Sequence, residues 1–170
     1  MLLEPASRTP WLLVLGSALA LESAALYFQY GLQLDPCVLC IYQRVAVLGL
    51  ALGGLVGAIH PRSLVLRLTG YGVILTSSLV GMHHALQQIA VLRGERFDCS
   101  FMPDFPAWMP LHEWLPAIFQ PTGMCGELDW YFLGFTMPEV MVGVFAAYLA
   151  ALVYAASREW AVAHRSQPAN

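Results

Sequence analysis

Leu68-Thr-Gly-Tyr-Gly-Val-Ile-Leu-Thr-Ser-Ser-Leu-Val-Gly-Met-His-His-Ala-Leu86 runs for 19 residues without an acid, a lysine or an arginine. A helix of about 20 apolar residues crosses the hydrocarbon core of a bilayer, so this stretch reads as a membrane span ending on His83 and His84. Three more spans lie outward from it. Residues 41–59 carry Arg44 near their start, 11–30 have Glu22 as their only charge, and 140–157 are framed by Glu139 and Arg158. Composition agrees. The chain is 58% hydrophobic and 11% charged, against about 25% charged in an average soluble domain. A soluble fold of 170 residues could not hide that much apolar surface. The expected fold is an all-α membrane protein, a four-transmembrane-helix bundle forming a single integral membrane domain over residues 1–170.

Ala18-Leu19-Ala20 has the form of a signal-peptide cleavage site. The apolar run continues ten residues past it, so the first span is read as retained. The net charge is −3 and lysine is absent. No basic face points to nucleic acid.

Arginine placement sets the expected orientation, because cytoplasmic segments are enriched in positive charge. With the N-terminus inside, Arg8, Arg62, Arg67, Arg158 and Arg165 face the cytoplasm with Glu4 and Glu159. Arg93 and Arg96 lie outside with eight acids: Asp35, Glu95, Asp98, Asp104, Glu113, Glu127, Asp129 and Glu139. Both termini are then cytoplasmic. All four cysteines fall outside or at the outer surface, in the outer loops at about 31–40 and 87–139. A tight inner turn is expected at His60-Pro61-Arg62.

The long outer loop holds Pro103, Pro106, Pro110, Pro116 and Pro121, which rule out one continuous helix. Its Trp108, Met109, Leu111, Trp114, Leu115, Ile118 and Phe119 have the character of a short interfacial helix with tryptophans at headgroup depth. A loop packed on the outer helix ends is the other reading. Either keeps Cys99 and Cys125 near the membrane.

Four cysteines outside the cytoplasm favour disulfides over free thiols, and they fall in two pairs, Cys37 with Cys40 and Cys99 with Cys125. The plain reading makes both pairs staples. A Cys-x-x-Cys pair closes almost no chain and makes a poor staple. Its usual work is redox exchange or metal binding. A four-thiolate zinc site is the other candidate, but a single Cys-x-x-Cys with two cysteines 26 residues apart lacks paired knuckles. No metal is expected. Asp35-Pro36 reads as an N-cap followed by proline at the first helical position. Cys37 then sits in the first turn, where the helix dipole favours a thiolate. Cys40 follows on the same face, and Arg44 lies one turn further. That guanidinium would stabilise the Cys40 thiolate, or merely snorkel to the headgroups.

The stretch Pro36-Cys-Val-Leu-Cys-Ile-Tyr-Gln-Arg44 resembles the signature of the DsbB family, bacterial inner-membrane proteins that reoxidise the periplasmic thiol oxidase DsbA. The likeness extends to Ala-Leu-Glu22, His84-Ala-Leu-Gln, Trp-Met-Pro-Leu in the loop, Phe132-Leu-Gly before Met137-Pro138, and the spacing of Cys99 and Cys125. Gln43 departs from it, since many members carry an acid there. The resemblance implies that Cys99 is attacked by the reduced thioredoxin-fold partner, with Cys125 its disulfide mate. Cys37 and Cys40 would reoxidise that pair, and Cys40 would pass electrons to ubiquinone or menaquinone from the membrane pool beside Arg44. His84 matches a position close to the quinone. Glu22 is a weaker candidate, because an ionisable group within a span is costly and points to function. Its expected partner is another polar group of the bundle, with the neighbourhood of Arg44 one place for it, and a purely structural hydrogen bond is the other reading. His83 reads as interface packing and His112 as a solvated loop residue.

The function implied is a quinone-dependent thiol oxidase of the bacterial inner membrane. A paralogue serving a dedicated partner, and a non-enzymatic scaffold stapled by two disulfides, are the alternatives. The scaffold has no use for Cys-x-x-Cys beside Arg44. The orientation is testable with Ser63→Cys and Ser100→Cys in a background lacking native cysteines. An impermeant thiol reagent applied from the periplasmic side is expected to label position 100 and spare 63. The opposite pattern would overturn the orientation.

Overall fold

The computed structural model describes residues 7–95, 99–126 and 131–165, with side chains of the last helix described to residue 161. Glu4, Arg96, Asp98, Glu127 and Asp129, which entered the charge count above, lie outside the described residues, as does the side chain of Arg165. Four long helices cross the chain's apolar stretches: α1 (Thr9–Tyr30), α2 (Val38–Ile59), α3 (Leu64–Leu92) and α6 (Met137–Arg165). Each is long and apolar enough to span a bilayer. The expected four-helix membrane bundle is therefore present. The outer loop adds two single turns, α4 (Leu111–Trp114) and α5 (Pro116–Phe119), and a two-stranded ribbon of β1 (Tyr131–Phe132) and β2 (Phe135–Thr136).

The helices exceed the expected spans at several ends. Hydropathy sees only the apolar middle, while a helix continues until its backbone finds another partner. Thus α3 runs through Gln87 and Gln88 to Leu92, and α6 begins at Met137 because Glu139 accepts hydrogen bonds from the Thr136 N–H and hydroxyl, both at 2.9 Å. The interfacial segment is two turns rather than one helix, broken at Leu115 before Pro116. Trp108 and Trp114 are exposed on it while Phe119 is buried, so it combines both readings of the loop. The ribbon was not anticipated. Leu133 and Gly134 join its strands with φ of 51° and 87°, a two-residue turn with both central residues left-handed.

α2 is the centre of the bundle. It packs against α1 on one side and α3 on the other, and α3 in turn packs against α6. Of the most apolar window in each helix, 61% is buried in α2 but 6% in α6, so α6 turns most of its surface to lipid. Helices in lipid gain nothing from burying one apolar face on another and associate where small residues allow close packing. α2 supplies these residues as Gly49, Gly53, Gly54 and Gly57. Gly53 meets Gly70 and Ile74 of α3, Gly54 meets the α1 backbone at Trp11 and Leu15, and Gly57 lies under the Trp11 indole. Trp11 is buried, reaches Gly70 as well, and stacks on Tyr71 at a centroid distance of 4.7 Å. Polar bonds close the end of the bundle opposite the cysteines. Glu159 receives the Tyr71 hydroxyl at 2.6 Å and lies 3.2 Å from Arg67, and Ser63 N–H closes the expected tight turn on His60 O at 2.9 Å.

A Cβ at position 57 would collide with the rigid Trp11 ring, whereas one at position 72 would meet nothing within 4 Å. Overpacking of this kind costs about 1–3 kcal/mol, against a gain of about 0.5–1 kcal/mol for alanine over glycine in a helix. Gly57→Ala is expected to lower the thermal unfolding midpoint in detergent, and Gly72→Ala to leave it unchanged or raise it. Equal midpoints would show that the indole is not fixed between the helices.

Candidate active site

Pro36 and the residues after it are buried at the outer end of α2. Cys37, not Asp35, is the N-cap, with extended φ and ψ of −81° and 170°. Its Sγ accepts the Cys40 N–H at 3.4 Å, while the Asp35 carboxylate accepts the Thr122 hydroxyl at 2.8 Å. The sulfur has replaced the usual carboxylate because the loop claims Asp35. Cys37 and Cys40 are free cysteines with sulfurs 2.9 Å apart, beyond the roughly 2.05 Å of a disulfide. The hydrogen bond to Cys40, and then burial, hold the Cys37 thiol above the ordinary thiol range. This runs against the thiolate that the helix dipole alone would favour at Cys37.

The loop pair comes to the same place. Cys99 and Cys125 form a disulfide with Cα atoms 6.1 Å apart, and both pack into one apolar cluster with Cys37, Val38 and Leu39. Backbone stitching brings them there. Thr122 and Gly123 donate their N–H groups to Pro36 O at 3.0 and 3.1 Å. Gly123 passes so close to the Asp35 carbonyl that any side chain would strike it. On the other limb, Asp104 N–H donates to the Tyr42 hydroxyl at 2.6 Å.

Below the cysteines lies a cavity of about 220 Å³ between α1, α2 and the start of α6. Its lining is mostly apolar, with Leu21, Val47 and Met141, and is marked by Cys40, Arg44 and Glu22. Arg44 is buried and joins three parts of the chain. Nε lies 3.4 Å from Glu22 Oε1. Nη1 donates to Gln29 Oε1 at 2.8 Å and to the Ile118 carbonyl at the end of α5. Nη2 has no hydrogen-bond partner among the described residues, and neither Glu22 oxygen has one. Glu22 is therefore a partner of Arg44, as the sequence suggested. It sits two to three residues past the middle of α1, eight residues before Tyr30.

His84 does not line this cavity. Its ring stacks on Tyr42 at 4.8 Å, Nδ1 is 3.0 Å from Gln87 Oε1, and Phe105 meets Tyr42 edge-on while stacking on His112. His112 is accordingly packed rather than solvated, and His83 lies edge-on to His84. Sequence reasoning passed over Gln88, which donates to both sulfurs, and Gln29 and Tyr42. The signal for Gln88 was a polar amide one helical turn beyond His84, on the same face.

Residues 7–155 match the family model described as Disulfide bond formation protein DsbB. The chain belongs to the DsbB family. Relatives named Disulfide bond formation protein B include one from Shewanella sp. (strain ANA-3), 49% identical over 149 residues, covering 86% of this chain and 85% of its own length. Another, from Pseudoalteromonas translucida (strain TAC 125), is 46% identical over 151 residues, covering 87% and 88%. A third, from Psychromonas ingrahamii, is 45% identical over 143 residues, covering 83% and 77%. DsbB-family proteins are membrane oxidoreductases that use quinones, and the multi-pass helices, two cysteine pairs and intramembrane cavity fit that family.

Losing a hydrogen-bonding charged group costs about 1.5–3 kcal/mol, or one to two decades in rate or affinity. Arg44→Met is expected to insert, but its quinone turnover should fall, or its apparent KM for quinone rise, by about tenfold or more. Arg44→Lys should be intermediate, since it keeps the charge and loses the planar fork. Steady-state quinone reduction by the three proteins measures this. Near-normal kinetics in Arg44→Met would reduce the arginine to a packing role.

Proposed function

We propose that this chain reoxidises a periplasmic DsbA-type dithiol oxidase and passes the electrons to a membrane quinone, sustaining disulfide-bond formation outside the cytoplasm. One observation carries the reading. The Cys37–Cys40 pair bridges two places, sharing one apolar cluster with the Cys99–Cys125 disulfide while Cys40 also lines the cavity.

The steps follow from that arrangement. The partner's thiolate attacks Cys99, forming a mixed disulfide and releasing the Cys125 thiolate. The partner's second thiol resolves it, so the partner leaves oxidised and Cys99 and Cys125 hold two electrons and two protons. Exchange with the Cys37–Cys40 disulfide moves these onto that pair through a second mixed disulfide. A quinone bound beside Cys40 supplies the two-electron, two-proton acceptor.

The cavity fits a small planar ring. It is apolar with a few convergent polar groups, the usual make-up of a cofactor-sized site. Arg44 Nη2 would donate to a ring oxygen, with Glu22 balancing its charge. Such a donor acts strongly where water is excluded. We place the cysteine pairs in the periplasm and both termini in the cytoplasm on the strength of the arginine distribution. Either ubiquinone or menaquinone meets these requirements, and parallel assays with both would identify the acceptor.

The division of labour is tested with a partner whose second active-site cysteine is replaced. Such a partner cannot resolve the mixed disulfide, so a covalent adduct through Cys99 is expected to accumulate. Cys99→Ser should abolish it. An adduct that survives Cys99→Ser and vanishes in Cys37→Ser would reverse the proposed path.

A further inference from the structure

Two buried side-chain amides stand behind the Cys37–Cys40 pair, and the electron path alone gives them no task. Gln88 Nε2 lies 3.3 Å from Cys40 Sγ and 3.5 Å from Cys37 Sγ. Gln88 Oε1 accepts a hydrogen bond from Gln43 Nε2 at 2.7 Å. Both glutamines are buried, at 4% exposure for Gln43 and 7% for Gln88. A primary amide has one accepting end and one donating end. Gln43 engages the accepting end of Gln88, so the donating end has to face the sulfurs. The orientation of Gln88 is thus matched by that of Gln43, across the α2–α3 contact.

We propose that Gln88 is a positioning residue of the redox pair, supplying N–H groups to the sulfurs of the reduced form, and that Gln43 locks it in the donating orientation. The proposal rests on reading Cys37–Cys40 as the pair that exchanges electrons, and it deepens that reading. A hydrogen bond to an ionised acceptor is roughly twice as strong as one between neutral groups, and disulfide sulfur is a poor acceptor. Gln88 therefore favours the dithiol over the disulfide and makes the pair a stronger oxidant of the loop cysteines. An ionised carboxylate can only accept. With an acid at position 43, Gln88 would turn its NH₂ toward that acid and present its carbonyl oxygen to the sulfurs. The glutamine at position 43 then has a chemical consequence for the pair.

The test is the equilibrium of the full chain with glutathione. Cys99 and Cys125 are changed to Ser so that one dithiol is read. In it the Cys37–Cys40 dithiol and glutathione disulfide give the protein disulfide and two glutathiones. Gln88→Met is expected to shift this equilibrium toward the protein disulfide by about tenfold or more, about 30 mV for a two-electron couple. The isosteric Gln43→Glu should shift it the same way, and further than Gln43→Leu, which leaves Gln88 free to donate. In a Gln88→Met background the effect of Gln43→Glu should largely vanish, since a double-mutant cycle isolates what passes between the two positions. The proposal is overturned by an unchanged equilibrium in Gln88→Met, or by a Gln43→Glu shift of full size in the double variant. If Gln88→Met does not fold, a Gln43→Leu shift as large as that of Gln43→Glu overturns it instead. Quinone is absent from the measurement, so a chain unable to reduce quinone would still show these shifts, and the two readings fail separately.

Discussion

A guanidinium cannot be left bare in hydrocarbon, and the outer half of this protein is arranged around meeting that demand. Arg44 enters the membrane on α2 about 9 Å below its first residue, at 1.5 Å per residue. A lone charge at such depth is costly, so its donors are distributed. Glu22 and Gln29 hold it from α1, and the Ile118 carbonyl caps it from the loop. One side chain therefore fixes the angle between two helices and draws the loop over the site. The Nη2 amino group, without a hydrogen-bond partner among the described residues, belongs to a side chain that lines the cavity. The group that closes the structure is also the group available to a ligand.

The cysteines use the same economy of position. A helix N-terminus leaves backbone N–H groups without helical partners, and Cys37 meets one of them with its own sulfur. Cys40, one turn on, looks into the cavity while remaining in contact with the loop cluster. On the proposed electron path, a short step along one helix separates exchange with the loop disulfide from exchange with the occupant of the cavity. This requires the helix start to be immovable, which the bonds from Thr122 and Gly123 to Pro36 provide.

Much of this was legible in the sequence. The spans follow from hydropathy, the need of Glu22 for a polar partner in the bundle follows from the cost of buried charge, and the gathering of chemistry at Pro-Cys-x-x-Cys and Arg44 follows from their spacing on one helix. What escaped depended on contacts between distant parts of the chain. Asp35 looks like an N-cap until Thr122, 87 residues away, takes its carboxylate. Gln88 looks like a polar residue at the end of a span until α2 and α3 are packed. His84 turns toward Tyr42 because Phe105 and His112 extend an aromatic cluster on that side. The spacing Gly49-x-x-x-Gly53-x-x-x-Gly57 was readable as a helix-packing stripe. Only the partner Trp11, 46 residues from Gly57, was beyond local pattern.

The two limbs of the outer loop are secured unequally. Cys125 is buried, and the residues just before it are tied by two backbone bonds and a hydroxyl to the start of α2. Cys99 is only half-buried, and the nearest tie on its side is the bond from Asp104 to Tyr42. Opening of the sulfur–sulfur link would leave the Cys125 limb with those ties to the start of α2, and the Cys99 limb with the bond from Asp104 to Tyr42 as its nearest tie among the described residues. The crosslink is thus the main fastening of one limb and a redundant one for the other.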